Sequence, residues 1–148
     1  MSNKHLVVEI ATWGSVSYVQ SLALRFEVLR KPLGLVFDPS IFLQENLDVH
    51  LIAKHGDWVV GCMILTPKEQ LFKMRQVAVD PRFQRQGVGS KMVEYAEQYA
   101  AMQQGSAIVL HARDSAIPFY HALGYSTVGE GFEEVGIPHH AMQKSLVE

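Results

Sequence analysis

Little in the sequence points to a secreted, membrane-bound or nucleic-acid-binding protein. The 148 residues include one cysteine, Cys62, which excludes an internal disulfide and fits a reducing cytoplasm. Thirteen basic residues against fifteen acidic ones give a net charge of −2, so no basic field favours nucleic acid or an anionic membrane. The apolar runs are too short for a transmembrane helix, and residues 1–5 lack the apolar segment of a signal peptide. We therefore expect a cytoplasmic protein with no nucleic-acid or membrane partner.

A metal site is also not expected. The seven histidines do not have the spacing of a metal-binding motif. His139 and His140 are adjacent on a predicted strand, so their side chains point to opposite faces and cannot both bind one ion. Cys62 lies in an apolar stretch, where a single thiol is usually a small core residue.

The length and the apolar content favour one domain over residues 1–148. Apolar residues make up 48% of the chain, which is ordinary for a globular protein, and two domains would each be too small to bury a good core. Alternating and helical patterns predict the element order β-α-α-β-β-β-α-β-α-β-β. This order implies an α/β sandwich of the α+β kind, in which helices flank a mixed, mostly antiparallel sheet.

The predicted elements follow from the apolar patterns and from the glycine and proline positions between them. They are a strand at His5–Thr12; a helix capped by Ser15 or Ser17, with Val19, Leu22, Phe26 and Leu29 on its apolar face and its end at Lys31–Gly34; a short helix or turn from Phe37 to Leu43; strands at Val49–Lys54, Trp58–Thr66 and Leu71–Val79; a helix at Gly87–Gln104; a strand at Ala107–His111; a helix at Ser115–Leu123; and strands at Tyr125–Val128 and His139–Leu146, joined by a glycine-containing loop.

The segment from Val77 to Ser90 has the features of an anion-binding site. A strand ends there, a loop with Arg82 and Arg85 follows, and Gly87 and Gly89 begin a helix. The first N–H groups of a helix have no internal partner, and glycine lets a phosphate approach the backbone. The spacing fits neither a P-loop nor the Rossmann fingerprint, whose third glycine is absent. The alternative is that the two glycines only make the turn.

Two motifs resemble those of the GNAT superfamily of N-acetyltransferases. Gln84-Arg-Gln-Gly-Val-Gly89 resembles its Q/R-x-x-G-x-G/A signature, and Ala112–Tyr125 resembles its second motif, a short helix that ends in F-Y-x-x-x-G-[FY]. The tail from Gly136 to Met142 is similar to a small bacterial subgroup of undefined substrate. The resemblance implies the GNAT fold and acetyl-CoA as the co-substrate, with no metal.

The resemblance also implies which residues bind the coenzyme. Strands four and five separate in this family, and the pantetheine arm pairs with the exposed backbone, here that of Val77, Ala78 and Val79. The pyrophosphate is held by the loop and the helix start, here Gln84, Arg85, Gln86, Gly87, Val88, Gly89 and Ser90. Ser115 and Phe119 would flank the coenzyme arm, together with Asp114, where many members have Asn.

The resemblance implies that Tyr120 is the general acid. A phenol is protonated at neutral pH and can donate to a departing thiolate, although Tyr120 could instead be a packing residue. Many members have a general-base Glu on strand four, but this strand carries Lys73, Met74, Arg75 and Gln76. The remaining candidates for the base are Glu27, Glu133, Glu134, His111 and His139. Of these, Glu27, Glu134 and His139 are predicted to contact the acceptor.

The expected reaction is acetyl transfer from acetyl-CoA to a primary amine, by direct attack in a ternary complex. Cys62 is not in a position that would support a covalent intermediate. The acceptor is a small-molecule or peptide amine, and a polyamine, an amino acid, an antibiotic and a protein lysine all stay open. Lys73 and Arg75 share one strand face and are either solvated or close to an acidic acceptor. The alternative functions are a non-catalytic acyl-CoA-binding or sensor domain and a nucleotide-binding regulatory module. The resemblance also implies a possible homodimer, because the last strands of this family often pair across a dimer.

Overall fold

The protein has one seven-stranded sheet in the residues that the structure, a computed structural model, describes, which are 5–36 and 38–147. The sheet order is β1-β2-β3-β4-β5-β7-β6. Only β4 and β5 pair in parallel, so the predicted mixed, mostly antiparallel sheet is confirmed. The strands are β1 Leu6–Ala11, β2 Val49–His55, β3 Trp58–Lys68, β4 Leu71–Val79, β5 Ala107–Arg113, β6 Ser126–Glu134 and β7 Ile137–Ser145.

Helices cover both faces of the sheet. The α-helices are α1 Val16–Arg25, α2 Ile41–Gln44, α3 Val88–Met102 and α4 Ile117–Ala122. A π-helical turn at Phe26–Arg30 and a 3₁₀ turn at Lys31–Leu33 extend α1, while 3₁₀ turns at Pro81–Phe83 and Asp114–Ala116 precede α3 and α4. No helix within the described ranges is long and apolar enough to cross a membrane.

The sheet separates two apolar cores. The larger core lies between the sheet and α3, where Met92 and Ala96 are fully buried against Leu65 of β3 and Ile108 of β5. The smaller core lies on the α1 side and includes Cys62. Cys62 is therefore the core residue that the sequence predicts, and burial raises the pKa of its thiol to about 12.

The buried face of α1 differs from the predicted one. Ser15 caps the helix as expected, by accepting a hydrogen bond from the Tyr18 N–H. Val19, however, is 57% exposed, and the buried residues of the helix are Tyr18, Ser21, Leu22 and Arg25. The prediction is correct for Leu22, which is buried, and for Leu29, which packs against the smaller core, but it is wrong for Val19. It also omits Arg25, which is buried because it pairs with the buried carboxylate of Glu45. The helix does end at the predicted Lys31–Gly34, where Gly34 is left-handed, whereas Phe37 lies outside the described residues.

The last two strands form one long hairpin instead of short strands joined by a loop. β6 and β7 extend to Glu134 and Ile137, which pair directly. Val135 and Gly136 both have positive φ values, +48° and +75°, which is the backbone of a type I′ hairpin turn. Val-Gly is not a usual sequence for this turn, so the sequence did not indicate it. Smaller differences are that β3 passes Pro67 to end at Lys68 and that β5 runs on to Arg113.

Candidate active site

A gap opens in the sheet between β4 and β5. Their pairing runs from Leu71 opposite Ala107 to Met74 opposite Leu110, and among the described residues the two strands do not pair beyond that point. A bulge in β4 at Gln76, whose φ is +55°, shifts the pairing with β3 at this point. The gap leaves one backbone edge of Val77, Ala78 and Val79 without a neighbouring strand. It belongs to a cleft of about 990 Å³ that these three residues help to line.

The loop that follows β4 presents free N–H groups to the same cleft. Gly87 begins α3 in the left-handed conformation, with φ of +81°, which a side chain would oppose. The first helical hydrogen bond joins Lys91 N to the Gly87 carbonyl at 3.0 Å, so the N–H groups of Val88, Gly89 and Ser90 precede it. Across the described ranges no side chain caps this helix start. A helix start with unpaired N–H groups has the geometry and the partial positive charge that favour an anionic group.

The side chains of the loop divide between the cleft and the surface. Gln84 lines the cleft and donates weakly from Nε2 to the Val79 carbonyl at 3.5 Å, and Arg85 lines it with a left-handed φ of +63°. Arg82 does not line the cleft. Its guanidinium bonds to Asp80 at 2.9 Å and lowers the pKa of that carboxyl. Of the two arginines in the predicted anion site, only Arg85 faces it. The remaining loop residue, Gln86, donates to the Arg82 carbonyl.

Gly89 is required by its contact with α4 and not by its own conformation. A Cβ atom at this position would lie 3.1 Å from Cζ of Phe119, which is tighter than ordinary packing allows. Phe119 and Ser115 both line the cleft, as predicted. Asp114 accepts a hydrogen bond from Nδ1 of His140 at 2.7 Å, so the acid that replaces the usual Asn is held by β7.

Tyr120 lines the cleft and is only 7% exposed. Burial raises the pKa of its phenol to about 12, so the hydroxyl is protonated throughout the neutral range. The ring packs edge-on against Phe119 and Tyr125, at centroid distances of 5.0 and 5.9 Å. No hydrogen-bond partner for the hydroxyl is present among the described residues. The side chain is thus fixed by packing while its donor is available.

Three of the five candidates for the general base come together beyond the gap. Nδ1 of His111 lies 3.0 Å from Oε1 of Glu134, and Nε2 of His139 lies 3.6 Å from Oε2. A carboxylate only accepts hydrogen bonds, so His111 donates from Nδ1, and its Nε2 can accept a proton. The His111 bond is also the main reason that the pKa of Glu134 is lowered. His139 is buried and donates from Nδ1 to the Ile137 carbonyl at 2.7 Å.

These side chains share what we call the open face: Arg75 of β4, His111 and Arg113 of β5, His139 of β7 and Glu134 of β6. The strand registers place all five on the side of the sheet that carries α1, and all five line the cleft. Because α1 packs on β2, β3 and β4, the α1 side of β5, β7 and β6 is accessible.

The structure does not bring the other two candidates to this face. Glu27 is an exposed residue that pairs with Lys31 at 3.5 Å and does not line the cleft, so its predicted acceptor contact is not supported. Glu133 pairs with Pro138 on the hairpin and points to the opposite face from Glu134. Within the described ranges, no three His, Cys, Asp or Glu side chains are arranged to hold a metal ion.

Sequence reasoning missed a buried ionic network behind the cleft. The Arg25 guanidinium donates to both oxygens of Glu45, at 2.8 and 2.7 Å, and the Tyr18 hydroxyl donates to Oε1 at 2.9 Å. His50 contacts the Glu45 carbonyl through Nε2 at 2.8 Å. Burial alone would raise the pKa of Glu45, but the bonds from Arg25 outweigh it and lower the pKa. The network joins α1 to the segment after α2, and no spacing along the sequence indicated it.

Comparison with known proteins identifies the architecture around the cleft. The family model of the acetyltransferase (GNAT) domain matches residues 40–146. The chain belongs to the GNAT family of acetyltransferases. It is 30% identical over 122 residues to the uncharacterized N-acetyltransferase YjcF of Bacillus subtilis (strain 168), covering 82% of this chain and 87% of that protein.

Solved structures share the fold of this GNAT chain at low identity. Escherichia coli ElaA superposes with a TM-score of 0.79 at 19% identity, over 94% of this chain and 99% of that one. An aminoglycoside 6′-N-acetyltransferase complexed with coenzyme A superposes with a TM-score of 0.81 at 16% identity, over 96% of this chain and 98% of that one. The GNAT chain is therefore an acyltransferase on a fold that binds coenzyme A derivatives.

Proposed function

We propose that the chain transfers an acetyl group from acetyl-CoA to a primary amine, by direct attack within a ternary complex. The observation that carries this proposal is the position of Tyr120. Its buried, protonated phenol lines the same cleft as the gap between β4 and β5 and the uncapped start of α3. Family membership supports acyl transfer in general, and the proposal adds the acetyl donor, the amine and the role of Tyr120.

The cleft fits the coenzyme through its backbone. The free edge of Val77, Ala78 and Val79 offers N–H and C=O groups to an extended amide-containing arm, as a neighbouring strand would. The N–H groups at the start of α3 and the charge of Arg85 suit the pyrophosphate. Phe119 and Ser115 would flank the arm on the α4 side. Acetyl-CoA, when bound, supplies an activated thioester.

The amine would reach the thioester from the open face and lose its proton there. Attack requires a neutral amine, so a base must take one proton as the N–C bond forms. Nε2 of His111 is the proposed acceptor, since the bond from Nδ1 to Glu134 fixes the orientation of the ring and leaves Nε2 to take the proton. His139 lies on the other side of Glu134, with Nε2 3.6 Å from Oε2.

Tyr120 would protonate the sulfur as the C–S bond breaks. The products are then an acetamide and the coenzyme A thiol, and Tyr120 and His111 regain their starting states by proton exchange with solvent. A phenol with a pKa of about 12 is a weak acid, but it stays protonated at neutral pH, and the thiolate that forms as the C–S bond breaks is the group that it would protonate.

The test is a release assay for coenzyme A thiol with a panel of primary amines, applied to the wild type and to Tyr120→Phe. The substitution keeps the ring and its packing and removes the donor. We expect kcat to fall by about 10²–10⁴-fold, while the dissociation constant of acetyl-CoA changes little, because the lost interaction forms in the transition state. No alkaline limb from Tyr120 is expected below about pH 11, given the raised pKa.

Tyr99→Phe is the matched control, because Tyr99 lies on α3 against Phe72 and does not line the cleft. A Tyr120→Phe enzyme with the kcat of Tyr99→Phe, when chemistry limits the rate, would leave Tyr120 as a packing residue. Acetyl-CoA binding without thiol release for any amine would favour the acyl-CoA sensor instead. Stronger binding of ATP or NAD than of acetyl-CoA would favour the nucleotide-binding module.

A further inference from the structure

The cleft carries more positive charge than acetyl transfer requires. Arg30 from the π-helical turn, Arg75 from β4 and Arg113 from β5 all line the cleft. Glu134 is the only carboxylate among the described residues that line it, and His111 and His139 engage that carboxylate. The fourth cleft arginine, Arg85, lies on the loop assigned to the pyrophosphate and on the other side of the gap.

Arg113 is one of the cleft arginines whose guanidinium has no partner within the protein. The side chain is half-buried, and its guanidinium forms no hydrogen bond or ion pair with any residue that the structure describes. Arg75, by contrast, donates to Oγ1 of Thr66 at 3.2 Å and lies 3.9 Å from Oδ2 of Asp48. A guanidinium that is reached by solvent and has no internal partner is free to form a charge-assisted hydrogen bond with an external anion.

The position of Arg113 places such an anion beside the reacting amine. Arg113 is directly opposite His139 in the pairing of β5 with β7, so their Cβ atoms are about 5 Å apart. His139 in turn lies 3.6 Å from Glu134, whose carboxylate attracts the ammonium form of an amine. The open face thus presents Glu134 for a cation and Arg113 for an anion, close enough for one small molecule to contact both.

We propose that the acceptor amine carries an anionic group, a carboxylate or a phosphate, which pairs with Arg113. This inference rests on the proposed acetyl transfer and names its substrate class. Arg75 and Arg30 line the same cleft and add to its positive potential. A polyamine or a polycationic antibiotic would place a second cation against these three arginines, so amino-acid-like acceptors fit the site and polycations do not.

The test uses bisubstrate conjugates, in which the coenzyme A sulfur is linked through an acetyl group to the nitrogen of an ω-amino acid. Conjugates of glycine, β-alanine and γ-aminobutyrate are each compared with the carboxamide twin by isothermal titration calorimetry, and an aminoethylphosphonate conjugate represents phosphate. At one or more chain lengths, we expect the carboxylate to bind about tenfold tighter than its twin, as for a hydrogen bond between charged groups. Arg113→Gln should abolish this preference and leave the affinity of the carboxamide unchanged.

Lys68→Gln serves as the control, since Lys68 is exposed at the distant end of β3 and should keep the preference. A phosphonate that binds tighter than every carboxylate supports the inference and assigns the anion as phosphate. If the carboxylate and carboxamide conjugates bind equally well to the wild type at every chain length, the inference is overturned. This result does not depend on whether Arg113→Gln folds. Tight binding of both conjugates would still leave the proposed function intact. A preference that survives in Arg113→Gln also overturns it. Failure of coenzyme A and all conjugates to bind overturns both proposals.

Discussion

The buried pair between Arg25 and Glu45 should contribute a large part of the stability of this protein. Their side chains are 4% and 1% exposed, and the carboxylate accepts three hydrogen bonds, two from Arg25 and one from Tyr18. Glu45→Gln keeps the size of the side chain but removes the charge and turns one acceptor into a donor that faces the guanidinium. Removing one partner of a buried pair costs about 3–5 kcal/mol, because the other charge stays buried without compensation.

This loss is large compared with the stability of an average domain. A free energy of unfolding of about 5–15 kcal/mol is typical, and for a chain of about 150 residues a loss of 3–5 kcal/mol lowers Tm by roughly 10 °C. Equilibrium unfolding in urea, followed by circular dichroism, measures the change. The wild-type advantage should also shrink in acid. The pKa of Glu45 is lowered on folding, so its contribution is present above the unfolded pKa of about 4.3 and is lost as pH falls through the folded value.

Two further variants make the result decisive. Glu27→Gln removes an exposed carboxylate from the same part of the chain, paired with Lys31 at 3.5 Å, and should cost less than about 1 kcal/mol. Arg25→Met and the double variant with Glu45→Gln complete a cycle, in which the two single losses should exceed the loss of the double variant by more than about 1 kcal/mol. A Glu45→Gln protein as stable as Glu27→Gln would refute the burial of this pair.

Two other predictions concern the hairpin and alkaline pH. Val135→Asn should raise the free energy of unfolding by about 1 kcal/mol, because a β-branched residue is strained at a φ of +48° and Asn followed by Gly136 suits a type I′ turn. Urea unfolding measures this change, and a variant with no gain in stability would contradict the turn assignment. Burial raises the pKa of Tyr18 and Tyr120 from the unfolded value of about 10 to about 12, and it raises the pKa of Tyr125 as well. The contribution of Tyr18 and Tyr120 is therefore complete below pH 10 and should be lost as pH rises toward about 12. Unfolding free energies measured alongside tyrosinate absorbance check this, and ionisation of all five tyrosines near pH 10 would contradict it.

The backbone features of the proposed coenzyme site could be predicted because they are local. A left-handed Gly87, a helix start and a strand that ends just before them are encoded within one stretch of the chain. The close approach of Gly89 to Phe119 could not be predicted, since it depends on how α4 packs on α3. A glycine motif therefore indicates where another group approaches the backbone closely, and the fold determines whether that group is a ligand or a neighbouring side chain.

The buried network of Arg25, Glu45 and Tyr18 could not be predicted, because the sequence around Arg25 indicates an exposed helix face. Arg25 has charged neighbours at Glu27 and Arg30, a pattern that is typical of a solvated helix face. Its partner, Glu45, follows a short helix 20 residues later, and only the packing of that segment against β2 brings the two together. A buried charge is satisfied by its partner's position in space, about which helical periodicity carries no information.

The proposed general base illustrates how strand order brings together residues that are distant in sequence. Strand four carries no acid, so a search restricted to that strand finds none. In the sheet, β7 lies between β5 and β6, which puts His111, His139 and Glu134 on three adjacent strands. Because side chains alternate along each strand, the register fixes which of them share a face, and it separates Glu134 from Glu133 and His139 from His140. Strand four has no acid, and Glu134 of β6 supplies one beside the gap. Glu134 lies on this face because the type I′ turn at Val135 lets β6 extend as far as Glu134.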